Sequence, residues 1–290
     1  MSLPVNPDRT PTEVRSCAGT PEFFLQVALF QNAKPVIQQQ QKKVIDALQN
    51  FSEDQIIDAQ PSNNLYLVYN KFNVVKRHYL LVAQQFRHQL ELLSLPSFIE
   101  IHKYLDKYPT LSVIYNGGRR SGSSQPRQHI QLLQLQPETP LDKIIHSQHR
   151  PNGTLPQFEH KLHGFIRFKN EYDDTGLEFT PENVLSSYMS LISSCKIVTQ
   201  NVSRNDIPEQ YPEVPVIQEP QTENEDNCKI AISGYSLFIT RDYIFMANRK
   251  CEGGFNSIAF SGFAFAKTEE IARQIEEKGL WQLLSDTLEE

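Results

Sequence analysis

Four cysteines, three methionines and a single tryptophan are all that 290 residues hold of these types. No stretch approaches the roughly 18 consecutive apolar residues that a membrane-spanning helix needs, so no membrane role is expected. Cys17, Cys195, Cys228 and Cys251 lie far apart and form no CxxC pair, which argues against a thiolate zinc site. A disulfide framework is equally unneeded in a chain long enough to bury its own core. The opening segment MSLPVNPDRTPTEVRS lacks the apolar run of a secretory signal, so the Asn-x-Ser/Thr triplets at Asn50, Asn152 and Asn201 read as chance matches. The expected setting is the reduced cytoplasm, with the nucleus as a second compartment open to the protein. Basic charge is short as well: 28 Lys and Arg against 34 Asp and Glu leave a formal charge of −6. That balance excludes nucleic-acid binding by a general basic surface, which depends on many phosphate contacts. It leaves small nucleotides open, because a few cations converging in one cleft suffice for them.

What remains is an ordinary globular composition, 39% hydrophobic and 21% charged. Residues 1–20 read as a flexible lead-in, and the QQQQ tract at 38–41 as a helix face or loop. LYLVY at 65–69 and YLLVA at 79–83 read as two strands of a buried sheet joined by NKFNVVKRH. Residues 84–107 read as helical material broken at Pro96, followed by a strand LSVIYN at 111–116. A helix is expected from Pro181 with Thr180 as its N-cap, and another over 268–289 opening at Thr268. YSLFIT and YIFMA flank Arg241-Asp242 as a hairpin, and SIAFSGFAFA reads as a further strand. These elements predict an α+β fold, a largely antiparallel sheet flanked by helices. The chain divides into a core at 21–202, an acidic proline-rich linker or strap at 203–226, and a C-terminal part at 227–290 that completes the site.

The chemistry concentrates in YNGGRRSGSSQPRQHIQLLQL at 115–135. The loop Arg119 to Ser124 combines small residues, hydroxyls and two guanidinium groups, a composition that suits an anion, although it matches neither a Walker nor a Rossmann loop. The following strand alternates, so Arg127, His129, Gln131 and Leu133 share one face while Gln128, Ile130 and Leu132 share the other. A cation, an imidazole and a carboxamide at two-residue spacing beside such a loop suit attack on phosphorus. The pairs His146/His149 and His160/His163 lie in Pro- and Gly-punctuated sequence without a suitably spaced carboxylate, and read as solvated loop histidines rather than a metal site.

The stretch resembles the signature of the diadenosine tetraphosphate phosphorylases, or ATP adenylyltransferases, within the histidine-triad and galactose-1-phosphate uridylyltransferase superfamily. Their pattern is an Asn-Ser/Gly-Gly turn, a Ser-Gly-Ser/Ala-Ser-Gln segment, then His-x-His-x-Gln on a strand. Here it reads Asn116-Gly117-Gly118, Ser121-Gly122-Ser123-Ser124-Gln125 and Arg127-Gln128-His129-Ile130-Gln131. YNKFNVVKRHYLLV at 69–82, YSLFITRDYIFMANRK at 235–250 and SIAFSGFAF at 257–265 resemble further family segments, in family order, over roughly two thirds of the chain.

The resemblance implies phosphorolysis of diadenosine tetraphosphate to ATP and ADP, reversible, through an adenylyl-histidine at His129. Gln131 then holds a non-bridging oxygen. Asn116, Gly122, Ser123, Ser124 and Gln125 contact nucleotide and phosphate, and Asn70 and Lys71 lie near the polyphosphate. Thr240, Phe245 and Arg249, with Lys34 near the N-terminus, take further ligand-contact positions. The implied partners are small nucleotides and phosphate. No tightly bound cofactor or protein-held metal is implied, only a divalent cation accompanying the polyphosphate. Arg127 departs from the family, which has the first motif histidine there. Arginine binds phosphate but cannot act as an acid near neutral pH. A non-catalytic or weakly active nucleotide-binding paralogue is therefore the alternative, and an interaction protein using the 203–226 strap a third reading.

Overall fold

The computed structural model describes residues 3–5, 12–17, 22–28, 46–58, 64–135, 138–170, 174–207, 227–266 and 268–290. The first strands are β1 (Thr12–Cys17), β2 (Phe23–Ala28), β3 (Ile56–Asp58), β4 (Leu65–Tyr69) and β5 (His78–Ala83). Helix α1 (Leu95–Lys107) precedes β6 (Leu111–Gly117) and β7 (His129–Gln134), and α2 (Pro140–His146) precedes β8 (Asn152–Gly153) and β9 (His163–Arg167). Helix α3 (Pro181–Ser194) leads to β10 (Thr199–Ser203), β11 (Asn227–Ala231), β12 (Gly234–Ile239) and β13 (Tyr243–Arg249). The chain closes with β14 (Phe263–Ala266), α4 (Glu269–Lys278) and α5 (Leu280–Ser285).

Nine strands form one sheet in the order β3-β4-β5-β7-β6-β12-β13-β9-β8, with every neighbouring pair antiparallel. The expected α+β class with an antiparallel sheet is what the chain adopts. The central strands are buried along their whole length because both faces of the sheet are covered. One face carries Val113, Tyr115, Ile130, Leu132 and Leu237 under α1 and α3. The other carries Ile114, Leu133 and Phe245 under α2, α4, α5 and the small sheet β1-β2-β14. Residues before and after the proline-rich stretch share this one sheet, because β12 pairs with β6 from Ile239↔Val113 to Tyr235↔Gly117.

Helix starts follow their sequence signals. Thr180 caps α3 by accepting from Asn183 N, and Thr268 caps α4 by accepting from Ile271 N. Several expectations are corrected. Residues 84–94 are not helical; Pro96 sits in the first turn of α1, where its missing N–H costs nothing, so it starts the helix rather than breaking it. Part of the expected lead-in, residues 12–17, is a strand held antiparallel on β2. The run at 268–289 is two helices divided at Gly279. SIAFS at 257–261 is a buried 3-10 turn, because Ser257 spends its N–H on Asn116 Oδ1 (2.9 Å) and its hydroxyl on Tyr115 O (2.9 Å) instead of on a strand partner. His163 is no solvated loop residue either: it opens β9, buried, with Nδ1 on Lys161 O (2.8 Å) and Nε2 accepting from Leu155 N (2.6 Å). Of the expected strap, residues 203–207 end β10 and form a 3-10 turn, and 208–226 lie outside the described residues. The QQQQ tract lies outside them too. Among the described residues no helix is long and apolar enough to cross a membrane.

Candidate active site

A cavity of about 450 Å³ opens on the sheet face that carries His129, Gln131 and Leu133. Strand pairing builds its floor: β5 runs antiparallel to β7 with His78↔Leu133, Leu80↔Gln131 and Val82↔His129. Directly opposed residues share a face, so the two strands present their inward side chains together. His129 begins β7, and its Nδ1 lies 2.9 Å from the carbonyl of Arg127 two residues earlier. That contact requires the proton on Nδ1 and leaves the Nε2 lone pair for chemistry. Burial pushes the ring below the usual imidazole range, opposed by the Arg127 carbonyl and the Asp46 carboxylate. The imidazole is therefore neutral near pH 7, as a nucleophile must be.

Gln131 stands one inward position further along the cavity wall. His78 Nε2 lies 2.9 Å from its Oε1, while His78 Nδ1 accepts from Val74 N (3.3 Å). The His78 ring stands against the Gln131 oxygen, which leaves the Gln131 NH2 as that side chain's donor toward the cavity. Burial lowers the His78 pKa to about 4, with the Gln131 contact acting the other way and the nearby His129 ring adding to the fall. The Asn70 amide nitrogen touches the same ring, 3.3 Å from Nδ1 and 2.8 Å from Nε2, and its Oδ1 accepts from Phe72 N (2.9 Å). That turn carries Lys71, exposed at the cavity, the only Lys or Arg among the described lining residues.

The anion-friendly loop forms the next wall. Gly122, Ser124 and Gln125 line the cavity. Gly122 has φ +88°, and a Cβ there would stand 2.7 Å from Asn256 Cβ, so both conformation and space demand glycine. Ser123 lies just behind, buried, its hydroxyl on Gln125 O (3.3 Å). Arg119 and Arg120 are exposed on the preceding 3-10 turn and do not line the cavity. Asn116 does, with its Oδ1 held by Ser257 N.

Thus Asn70, Lys71, Asn116, Gly122, Ser124, Gln125, His129 and Gln131 converge on one space. Five of the anticipated contacts do not: Ser123, just behind the loop wall, and Thr240, Phe245, Arg249 and Arg127. Thr240 accepts from Asp242 N and Tyr243 N in the hairpin turn, and Phe245 packs in the core between Phe158 and Phe260. Arg249 is fully buried, donating to Ser236 Oγ and to the carbonyls of Cys251, Glu252 and Phe255; desolvation brings its pKa down to about 10. Arg127 is absent from the lining and faces Asp46 instead. Lys34 lies outside the described residues.

Sequence reasoning missed His78, Asn256, the wall at 47–51 and a buried carboxamide behind His129. Gln89 is fully buried; its Oε1 accepts from His129 N (2.8 Å) and its Nε2 donates to Asn116 O (2.9 Å). The β6–β7 ladder stops at Ile114↔Gln131, and this amide stands where the next backbone bonds would be. A polar residue in the irregular segment RHQLELL carries no local mark of that role. His78 has a faint one, as a lone histidine opening an apolar strand.

With this geometry established, comparison with known proteins identifies the relatives. The Ap4A phosphorylase N-terminal domain matches residues 23–147, and the ATP adenylyltransferase C-terminal domain matches residues 156–288. Protein APA1 of Saccharomyces cerevisiae is 28% identical over 243 residues, 77% of this chain and 67% of the relative. Diadenosine 5',5'''-P1,P4-tetraphosphate phosphorylase 2 of the same yeast is 31% identical over 105 residues, 32% of each chain. The crystal structure of yeast Ap4A phosphorylase Apa2 shares the fold with a TM-score of 0.68 at 18% identity, covering 97% of this chain and 88% of that one. Its complex with Ap4A gives 0.67 at 17% identity, covering 97% and 90%. The two consecutive domain matches and the shared fold place this chain in the Ap4A phosphorylase family of nucleotidyltransferases.

Proposed function

We propose that the chain phosphorolyses diadenosine tetraphosphate to ATP and ADP, reversibly, through a covalent adenylyl-histidine. His129 Nε2 attacks the α-phosphorus, a P–N bond forms, the P–O bond to the remaining triphosphate breaks, and ATP leaves. Inorganic phosphate then attacks the same phosphorus, the P–N bond breaks, and ADP leaves. As the ring gains positive charge, the Nδ1–H bond to the Arg127 carbonyl strengthens, stabilising the intermediate. The Gln131 NH2 and the loop at 122–125 donate to the phosphate oxygens, and Lys71 balances the polyphosphate charge. No resident metal enters the scheme; a divalent cation arrives with the polyphosphate. The observation that carries the reading is the single tautomer of His129, with its free nitrogen beside Gln131 and the Gly122 loop.

One observation favours the second reading, a nucleotide-binding protein with little turnover. Arg127 faces Asp46, so position 127 supplies neither proton nor charge to the leaving phosphate. The test is incubation of wild type and His129→Ala with Ap4A, with and without phosphate, following ATP and ADP by chromatography. Phosphate-dependent formation of both, abolished in the variant, is expected. Binding of Ap4A without any product would decide for the second reading.

A further inference from the structure

Arg127 occupies a family site position, yet its side chain is committed elsewhere. Nε donates to Asp46 Oδ2 at 2.7 Å, and one terminal nitrogen donates to the carbonyls of Ala83 (3.0 Å) and Gln84 (3.3 Å). The guanidinium carbon lies 5.3 Å from the centre of the Phe86 ring, and the residue is 5% exposed. Every one of these partners lies at the end of β5 or in the segment before β3.

Asp46 in turn organises a tight turn. Its Oδ1 accepts from Leu48 N (3.1 Å), and its carbonyl accepts from Gln49 N (3.2 Å). That turn delivers Leu48, Asn50 and Phe51 to the cavity, where Leu48 and Phe51 pack on Val68, Leu80 and Val82. This wall is apolar and aromatic with one carboxamide, unlike the cationic and N–H-rich side formed by Lys71, Gln131 and Gly122. It suits the flat face and polar edge of a nucleobase.

We infer that Arg127 is a positioning residue: through Asp46 it pins the 46–51 wall to the end of β5 and so sets affinity for the base half of the nucleotide, rather than acting on the phosphates. The same residue orients His129 through its main-chain carbonyl, so the clamp couples the base wall to the nucleophile. A histidine at 127 is too short to reach Asp46 and both carbonyls at once, so restoring the family residue loosens the wall instead of quickening the chemistry. The inference rests on the nucleotide reading of this cavity.

The test uses the full chain as Arg127→Gln, Arg127→His, Asp46→Asn and the double Arg127→Gln/Asp46→Asn. Amide hydrogen exchange across 46–51 in the nucleotide-free protein reads the clamp itself. Calorimetry with AMP and steady-state kinetics read its consequence. Each single variant is expected to speed exchange at 46–51 while leaving β4 and β5 protected. It should weaken AMP binding and raise KM about tenfold, with the double no worse than either single because the pair acts as one unit. Unchanged exchange in Arg127→Gln overturns the inference, as do losses that multiply in the double, a loss confined to kcat, or a gain in kcat on Arg127→His. Failure of the wild type to bind AMP would refute the nucleotide reading instead, and exchange alone would then decide the clamp.

Discussion

Gln89→Met is the most informative perturbation of the region behind His129. Methionine matches glutamine in length and flexibility but can neither accept from His129 N nor donate to Asn116 O. Both main-chain groups lie where the β6–β7 ladder has already ended, so no strand partner replaces the amide. A buried polar group left unpaired costs about 1–3 kcal/mol, so two cost about 2–6 kcal/mol. That is a large share of the 5–15 kcal/mol typical of a domain, and corresponds to a fall in Tm of roughly 3–10 °C. Thermal unfolding followed by the fluorescence of Trp281, the single tryptophan, measures it. The same change frees the start of β7, and a displacement of His129 by about 1 Å would lower turnover on the order of 100-fold. Gln128→Met is the control: Gln128 is also buried, but its side chain donates to Glu91 O (3.0 Å) and holds neither His129 nor Asn116. It should lose less stability and keep its turnover. A Gln89→Met protein within about 2 °C of wild type, with unchanged rate, would refute the reasoning.

Acidification should destabilise the fold before carboxylates titrate. Burial holds His78 and His88 at pKa values of about 4, below the ordinary 6.5. Between those values the unfolded chain binds more protons, so stability is fully present above pH 6.5 and falls toward pH 4, by roughly 1 kcal/mol for each histidine at pH 5.5. Thermal melts from pH 7.5 to 5.5 check this, and a flat Tm would contradict it. Gly117→Ala places a Cβ 2.3–2.6 Å from three atoms of the Tyr235 ring, whose hydroxyl is paired with that of Tyr188 (2.6 Å). With the ring unable to retreat, overpacking should cost about 1–3 kcal/mol. An unshifted denaturation midpoint would mean that the ring moves freely.

Much of this site was legible because its signals are local. Strand alternation placed His129, Gln131 and Leu133 on one face, and the structure puts all three on the cavity. The Asn-Gly-Gly turn and the Gly/Ser loop announced a wall that needs small residues, and Gly122 meets that need by its φ and by its contact with Asn256. Thr180 and Thr268 marked helix starts because a cap bonds within three residues. What depended on distant partners was hidden. Arg127 shares a strand face with His129 in sequence, but a carboxylate 81 residues earlier decides where its charge goes. Arg249 reads as a ligand cation, yet four oxygens near its own hairpin consume its donors in the core. Gln89 and His78 join the site only once β5, β6 and β7 lie side by side. The sequence by itself determined which strand brings His129 and Gln131 to the cavity and which Gly/Ser loop walls it, since backbone period and steric need act over a few residues. Only the tertiary structure decided which buried donors face the cavity and which face each other, because a desolvated charge or amide turns to whichever partner the strand pairing brings within reach.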